Sequence, residues 1–330
     1  MKHSPEDIKH AIAFLEQGGD CKVLRRLPDV PAGPLVPRDG LAKVVVLDTE
    51  TTGLSPWDDK VIEVGAIARY VDVATGKFVG NAEVRSWLED PGFPLEPHTV
   101  ALTGLTDEDL QGKEFDEAEI AEFMEGASLV IAHSAAHDRP FFEQRFPALN
   151  DFAWGCSLSQ INWMQAGAGS SKLEFLAFKL GTFYEAHRAL PDCQALAYVL
   201  EHFNLPSGQA ALQHLIARSL TKSVRIEANG APFEKKDALK GAGYYWDGEN
   251  RVWHRTVDED AMDAEFDWLR RDVYGGRPAK VNVQFISARA RFSHVPPWGS
   301  ITPDVRSVGA QGEHATASSR AGRYGGAGQV

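Results

Sequence analysis

The order of apolar and polar positions along the chain predicts an α/β domain that opens with strands. VVVLD, beginning at residue 44, is a short apolar run rich in β-branched residues, which is typical of a buried strand. VIEVGAIARYV and NAEVRSWLE, joined by the turn ATGK, predict two more strands, and SLVIAH predicts a fourth. Apolar residues at helical spacing or helix-boundary residues predict helices over 4–17, 116–126, 172–181 and 191–203.

A second group of elements begins near residue 221. SVRIEA, RVWHRTV and KVNVQFISA predict strands, and residues 258–274 predict an amphipathic helix. A Pro/Gly-rich stretch, PDVPAGPLVPRDG, precedes the first α/β region, and Gly, Ser and Ala dominate from about residue 297, as is typical of disorder. We therefore expect an N-terminal helical segment and linker (1–40), an α/β domain (41–205), a linker (206–220), a small α+β domain (221–296) and a disordered tail (297–330).

Two acidic residues stand at the end of the first strand, Asp48 and Glu50. Residues i and i+2 of a strand point to the same face, so the two carboxylates lie side by side. Adjacent carboxylates repel each other unless something neutralises them, and a hard divalent cation with oxygen ligands would do so. The alternative is that the acids only mark the exit into the turn TTGL, since a chain with 46 acidic residues contains such pairs by chance.

Three further residues are candidates for the same site. Asp192, near the start of the helix 191–203, shares the inward-facing stripe of that helix, although an acid there also suits the helix dipole. His187 lies on the preceding loop, where a histidine can act as a general base, or it is an ordinary surface histidine. Asp138 opens a helix after SLVIAH, where an acid is also a common capping residue.

Taken together, LDTETTGL, IAHSAAHDRPFFEQRF and HRALPD resemble, in order and spacing, the DEDD 3′–5′ exonucleases of the histidine subtype. That family includes the proofreading (epsilon) subunit of the bacterial replicative DNA polymerase, DNA polymerase III. VIEVGAI and ALTGLTDE also match, and the resemblance covers about residues 41–205. It implies an α/β, ribonuclease H-like domain with a mixed sheet flanked by helices, beside the small C-terminal α+β domain.

The resemblance also assigns roles to individual residues. It implies that Asp48, Glu50, Asp138 and Asp192 are catalytic acids that hold two Mg²⁺ or Mn²⁺ ions, with His187 as the general base. Two such ions clamp the scissile phosphate and activate a water molecule. The residues that would contact the substrate are Thr51, Thr52, Gly53, Leu54, Thr103, Leu105 and Ser134. The second motif departs from the usual HNAxFD, because Ser134 and His137 stand in HSAAHD.

The resulting hypothesis is a metal-dependent 3′–5′ exonuclease that acts on 3′ ends of single-stranded nucleic acid, with DNA favoured, and releases nucleoside 5′-monophosphates. A role in DNA repair or proofreading, beside a DNA polymerase or a repair complex, would fit. Two alternatives stay open at this point, an RNA-trimming 3′–5′ exoribonuclease on the same scaffold and a non-catalytic nucleic-acid-binding scaffold.

Charge and cysteine content refine this hypothesis. The net charge is −12, and residues 1–220 hold 18 Lys and Arg against 32 Asp and Glu, so a general basic footprint for nucleic acid is absent. Bound cations would have to offset this field at the site. Three widely spaced cysteines without a CxxC pair, and no apolar run of about 18 residues, predict a cytoplasmic protein with no membrane partner.

The segment AGYYWDGENRVWHR in the second domain offers a further interpretation. Four aromatic residues could stack on bases, as in single-strand binders, and four basic residues nearby could meet phosphates. The alternative is that the aromatic side chains fill the core of a compact domain. The aromatic residues are Tyr244, Tyr245, Trp246 and Trp253, and the basic ones are Lys235, Lys236, Lys240 and Arg251.

Overall fold

The protein is described here from a computed structural model, which covers residues 4–248 and 250–294, together with the backbone of 304–308. The chain forms two compact units. The first unit contains residues up to Ser223 and takes up the chain again from Phe285, and the second unit contains Val224–Gln284 and the segment 304–308. Among the described residues, no helix combines the length and apolar character that crossing a bilayer would require.

A five-stranded mixed sheet forms the centre of the first unit. Its strand order is β4-β3-β2-β5-β6, in which β4, β3 and β2 are antiparallel and β2, β5 and β6 are parallel. The strands of this unit are β1 Arg25–Arg26, β2 Ala42–Thr51, β3 Val61–Asp72, β4 Lys77–Leu88, β5 Leu129–Ala132, β6 Trp154–Cys156 and β7 Thr182–Phe183. The central sheet confirms the expected ribonuclease H-like architecture.

Helices pack on both faces of this sheet. The helices of the unit are α1 Pro5–Glu16, α2 Pro97–Thr103, α3 Asp107–Leu110, α4 Glu117–Met124, α5 Ala135–Arg145, α6 Ser157–Gln160, α7 Leu173–Lys179, α8 Ala189–His202 and α9 Ala211–Leu220. Helices α8 and α9 lie on one face, and α4 and α5 lie on the other. The predicted N-terminal helix is present as α1, capped by the side chain of Ser4, which accepts the N–H of Asp7.

Alternate residues of β2 face opposite layers of the core. Val44 and Val46 belong to the cluster that includes residues of α8, whereas Val45 and Leu47 belong to the cluster that includes residues of α4 and α5. By the same alternation, Asp48 and Glu50 continue the face that looks towards α8. The β2 strand therefore points its two terminal acids at the helix that carries the third.

Close approach between β3 and α8 depends on Gly65. A Cβ at this position would lie 2.4 Å from the carbonyl carbon of Ala189 and 2.5 Å from the backbone nitrogen of Leu190. Only glycine leaves room for the start of α8 to rest directly on the strand. This contact sets the depth at which the first turn of α8 lies over the sheet.

The segment 206–220 differs from the expected linker. Its second half is helix α9, whose Leu212, Leu215 and Ile216 are buried in the same core cluster as α8. Residues 285–294 also differ from the expected boundary, because they return to the first unit. There the buried Arg139 donates hydrogen bonds to the carbonyls of Arg289 and Arg291. The apolar stripe of α9 is encoded in neighbouring positions of the chain. The position of 285–294, in contrast, depends on contacts with residues that are far away in sequence, such as Arg139.

Within the described residues, the second unit is a separate five-stranded sheet with two α-helices, as expected for a small α+β domain. Its strand order is β12-β11-β8-β10-β9, and its core includes Val224, Ile226, Val281 and Val283. Its elements are β8 Ser223–Ala228, α10 Lys236–Gly241, β9 Tyr245–Asp247, β10 Val252–Asp258, α11 Met262–Trp268, β11 Ala279–Ile286 and β12 Asp304–Val308.

Five residues of the predicted disordered tail form a strand. Asp304–Val308 pairs antiparallel with β11, so this part of the tail differs from the expectation for 297–330. The pairing satisfies backbone groups along one edge of β11, which composition alone does not reveal. The rest of 297–330 lies outside the described residues.

Candidate active site

Three carboxylates from two elements meet at the end of the central strand. Asp48 and Glu50 come from β2, and Asp192 comes from the first turn of α8. One oxygen atom from each of these side chains lies within 4.8 Å of the others. Carboxylate oxygens at this spacing are the donor set that Mg²⁺ and Mn²⁺ prefer.

Asp138 contributes a fourth carboxylate from the first turn of α5. Its Oδ1 accepts hydrogen bonds from the backbone N–H of Thr49 at 3.1 Å and from the Thr49 hydroxyl at 2.9 Å. Its Oδ2 is buried and has no hydrogen-bond partner among the residues that the structure describes. A buried oxygen without a partner is costly, and a cation or an ordered water is the usual remedy. The donor set at this site therefore fits divalent metal ions.

All four acids line one cleft of about 450 Å³. Burial raises the pKa of Glu50 to about 8 and that of Asp138 to about 7. Burial also raises the pKa of Asp48 well above its ordinary value, with Asp138 and Asp192 as the next causes, and it raises the pKa of Asp192. The four carboxylates thus resist ionising together without cations, as expected for acids that share a site.

His187 lies on the wall of the same cleft with a half-exposed imidazole. Its φ of +65° is in the left-handed region, which is uncommon for a residue with a side chain. The backbone N–H of His187 donates to Asp192 Oδ2 at 2.8 Å, and its Nε2 lies 3.8 Å from Glu174 Oε1. The backbone contact ties the position of the histidine directly to one of the acids.

Sequence reasoning missed the partners that hold these acids in place. The Tyr184 hydroxyl donates to Asp192 Oδ1 at 2.6 Å, and Thr49 binds Asp138 as described above. The buried Glu63 accepts hydrogen bonds from Arg188 Nε at 2.9 Å and from the N–H of Ala189 at 3.2 Å. Glu63 could have been noticed in the sequence, because it is an acid inside the apolar run VIEVGAI. No pattern in the neighbouring sequence marks Tyr184 as a residue of the site.

The two departures in the second motif both face the cleft. Ser134 lines it from the N-cap position of α5, without a capping hydrogen bond from its side chain. His137 lines it as well, packs its ring 4.8 Å from that of Phe141, and places Nε2 3.5 Å from Thr51 Oγ1. Burial lowers the pKa of His137, which favours its neutral form. The substituted histidine is therefore accommodated beside Asp138 as an uncharged ring.

The segment Thr51–Leu54 begins at the last residue of β2 and continues as a turn that hydrogen bonds hold in place. Thr51 Oγ1 donates to the carbonyl of Gly53 at 2.6 Å, and the N–H of Thr52 donates to the carbonyl of Lys60 at 2.9 Å. A Cβ on Gly53 would lie 2.4 Å from the carboxylate oxygens of Asp59. Leu54 is 87% exposed, so its side chain is open to a ligand.

Thr103 and Leu105 do not join this site. They are 3% and 2% exposed, and neither is among the residues that line the cleft. The Thr103 hydroxyl donates to the carbonyl of Thr99, and Leu105 packs with Ile62 and neighbouring core residues. Contact between these two positions and a substrate stays a prediction, and the burial of their side chains does not favour it.

Comparisons with known proteins agree with the arrangement of the acids. Residues 45–200 match the RNase T family, described as exonuclease. This match supports a DEDD 3′–5′ exonuclease domain over these residues. Curated relatives include the PolC-type DNA polymerase III of Listeria welshimeri, 30% identical over 165 residues, and that of Staphylococcus epidermidis, 33% identical over 167 residues. Each alignment covers 48% of this chain and 11% of the relative, so the chain spans a small part of these polymerases.

Solved structures with similar chains are also exonucleases. One is described as Exonuclease X in complex with 5′ overhanging duplex DNA, with 21% identity, a TM-score of 0.37, and coverage of 52% of this chain and 99% of that one. Another is a full-length 3′-exonuclease, with 14% identity, a TM-score of 0.38, and coverage of 51% and 60%. Both scores are below 0.5, and the fold assignment rests on the sheet order described above.

Proposed function

We propose that this chain is a metal-dependent 3′–5′ exonuclease of the histidine subtype that shortens single-stranded DNA from its 3′ end. The observation that carries the proposal is the convergence of four carboxylates, from Asp48, Glu50, Asp138 and Asp192, on the cleft whose wall includes His187. Hydrolysis of the terminal phosphodiester bond would release a nucleoside 5′-monophosphate. The family match to exonucleases supports the reaction class.

Asp48, Glu50 and Asp192 would hold divalent cations, and Asp138 would complete the set through Oδ2. Two bound Mg²⁺ or Mn²⁺ ions would supply charge neutralisation for the acids and polarise the scissile phosphate and the attacking water. Thr49 keeps Asp138 oriented, and Tyr184 keeps Asp192 oriented, because each donates a hydrogen bond to the carboxylate that it positions.

His187 would take the proton of the attacking water on its imidazole. The half-exposed ring can reach a substrate in the cleft, and the backbone contact with Asp192 keeps it beside the acids. A histidine base contributes roughly 10²–10⁴-fold to such a reaction. The backbone of Thr51–Leu54 would contact the terminal nucleotide, with the exposed Leu54 side chain next to its base, and Ser134 would contact it from the start of α5.

The biological setting proposed is proofreading or repair beside a DNA polymerase. The curated relatives named PolC-type DNA polymerase III support this setting, although each alignment covers only 48% of this chain and 11% of the relative. Single-stranded 3′ ends of DNA are the favoured partner, and RNA ends are the competing substrate.

The second unit would assist by binding single strands. Tyr245 is 71% exposed and Trp246 is 52% exposed, and the Trp246 ring lies 5.4 Å from that of Trp253. Tyr244, in contrast, is buried and donates its hydroxyl to Glu265, so it belongs to the core. Two of the four aromatic residues are thus well placed to stack on bases. Replacing Tyr245 and Trp246 with alanine should weaken single-strand affinity, and unchanged affinity would remove this role.

The decisive experiment follows 5′-labelled DNA and RNA oligonucleotides with Mg²⁺, Mn²⁺ or EDTA. The wild type should produce a descending ladder that needs metal, and Asp48→Asn should abolish it. Asp39→Asn is the matched control, since it removes the same charge from an exposed position outside the cleft. Faster cleavage of RNA would indicate a trimming enzyme. Intact oligonucleotides with either metal would refute the proposal and favour a binding scaffold.

A further inference from the structure

A second cleft adjoins the one that holds the four acids. Its volume is about 500 Å³, within the range of small-ligand sites. The two clefts share Leu158 and Ser171 as lining residues, so one continues into the other. The other residues that line the second cleft come from α6, from the loop that follows it and from α9.

The second cleft differs from the first in charge. Among the described residues that line it, none is acidic, although residues 1–220 carry 32 acids against 18 basic residues. His214 and Arg218 stand one turn apart on α9 and both face this cleft. The contrast matches a ligand with its own negative charge rather than a cation.

Apolar and polar groups in the second cleft complement a nucleotide. Met164 is 65% exposed and Leu158 is 41% exposed, which gives apolar surface for a base. Asn162 and Ser159 add polar side chains for sugar or phosphate oxygens.

The loop that forms the cleft is held in place by buried contacts. Trp163 Nε1 donates to the carbonyl of Ser157 at 2.8 Å, and Gln160 Oε1 accepts from the N–H of Cys156 at 2.7 Å. The cleft is therefore shaped before any ligand arrives, which lowers the cost of binding. Both basic residues lie beyond residues 45–200, the part of the chain that matches the exonuclease family.

We propose that this second cleft binds the nucleotides on the 5′ side of the scissile phosphate, with Arg218 contacting the backbone of the strand. The inference rests on the proposed exonuclease function, because it takes the acidic cleft as the position of the cleaved bond. Continuity of the two clefts leads the strand past Leu158 and Ser171, from the acids to Arg218 on α9. Substrates too short to reach α9 gain nothing from this contact.

The test compares kcat/KM on a dinucleotide and on a twelve-residue oligothymidylate for the wild type, Arg218→Gln and Arg38→Gln. Arg38 is exposed and lines neither cleft, so its variant is the control for loss of one positive charge. Arg218→Gln should lower kcat/KM on the twelve-mer about tenfold through KM, the size expected for a hydrogen bond to a charged group. The dinucleotide should lose less than about twofold, and the salt dependence of twelve-mer binding should become shallower.

Met164→Ser provides a second variant on an exposed side chain, and thermal unfolding of each variant checks that it folds. Met164→Ser should also lower kcat/KM more on the twelve-mer than on the dinucleotide. Equal losses on both substrates, or no loss on the twelve-mer, would overturn the inference while leaving the exonuclease function intact. If the wild type hydrolyses neither substrate, fluorescence anisotropy with the labelled twelve-mer still decides. Arg218→Gln must then weaken binding while Arg38→Gln does not, or the cleft is not a strand site.

Discussion

Replacing Glu50 with glutamine should stabilise the metal-free protein at neutral pH while abolishing its nuclease activity. The side chain is only 9% exposed, and burial with neighbouring acids raises its pKa from 4.5 to about 8. Below pH 4.5 both the folded and the unfolded chain hold the proton. Between pH 4.5 and 8 the unfolded chain releases it and the folded chain keeps it, so stability is lost as pH rises, and above pH 8 the loss is constant.

The magnitude follows from the difference between the two pKa values. A pH of 7 is 2.5 units above 4.5, the pKa of this carboxyl in the unfolded chain. At about 1.4 kcal/mol per unit, the raised pKa in the folded chain lowers the free energy of unfolding by about 3 kcal/mol. Glutamine has nearly the same shape and carries no charge, so Glu50→Gln removes this penalty. For a unit of this size the gain corresponds to roughly 6–12 °C in Tm at pH 7, and to less than about 3 °C at pH 5.

Calorimetric unfolding in EDTA at pH 5 and pH 7 measures this difference, with Asp39→Asn as the control that should behave alike at both pH values. Adding Mg²⁺ should reduce the Tm difference between Glu50→Gln and the wild type, because metal binding stabilises the wild type and the variant has lost a metal ligand. A Tm difference between Glu50→Gln and the wild type that does not grow from pH 5 to pH 7 would refute the reasoning about the shared carboxylates.

Three further outcomes follow from single contacts. Tyr184→Phe removes the donor to Asp192, and the Mg²⁺ concentration for half-maximal activity should rise about tenfold in a metal titration, whereas an unchanged titration would show that the hydroxyl does not position the acid. Gly65→Ala sets a methyl group against the backbone of Ala189 and should lower the free energy of unfolding by about 1–3 kcal/mol or more in a urea titration. Arg139→Leu leaves its buried carboxylate partner uncompensated, so about 3–5 kcal/mol should be lost, and a loss below 1 kcal/mol would contradict burial of the pair.

Much of the site could be predicted from sequence because its acids occupy positions with local signatures. The strand alternation placed Asp48 and Glu50 on one face, and the helical stripe turned Asp192 inward, as the geometry of β2 and α8 bears out. A motif match reports which residues occur and not whether their side chains reach the surface, as the burial of Thr103 and Leu105 illustrates. Their burial depends on the packing of α2 and the following turn against the sheet.

The amino-acid sequence by itself determined strands β2 to β5, helices α1, α4, α7 and α8, the order of the motifs and the identity of the acids, because each is encoded within a short window of the chain. Tertiary structure decided which side chains hold those acids. Thr49 meets Asp138 across 89 positions, and the basic residues of α9 meet the loop after β6 across more than 50 positions. No local pattern specifies such contacts, since they arise only when the sheet brings strand ends and helix starts to the same place.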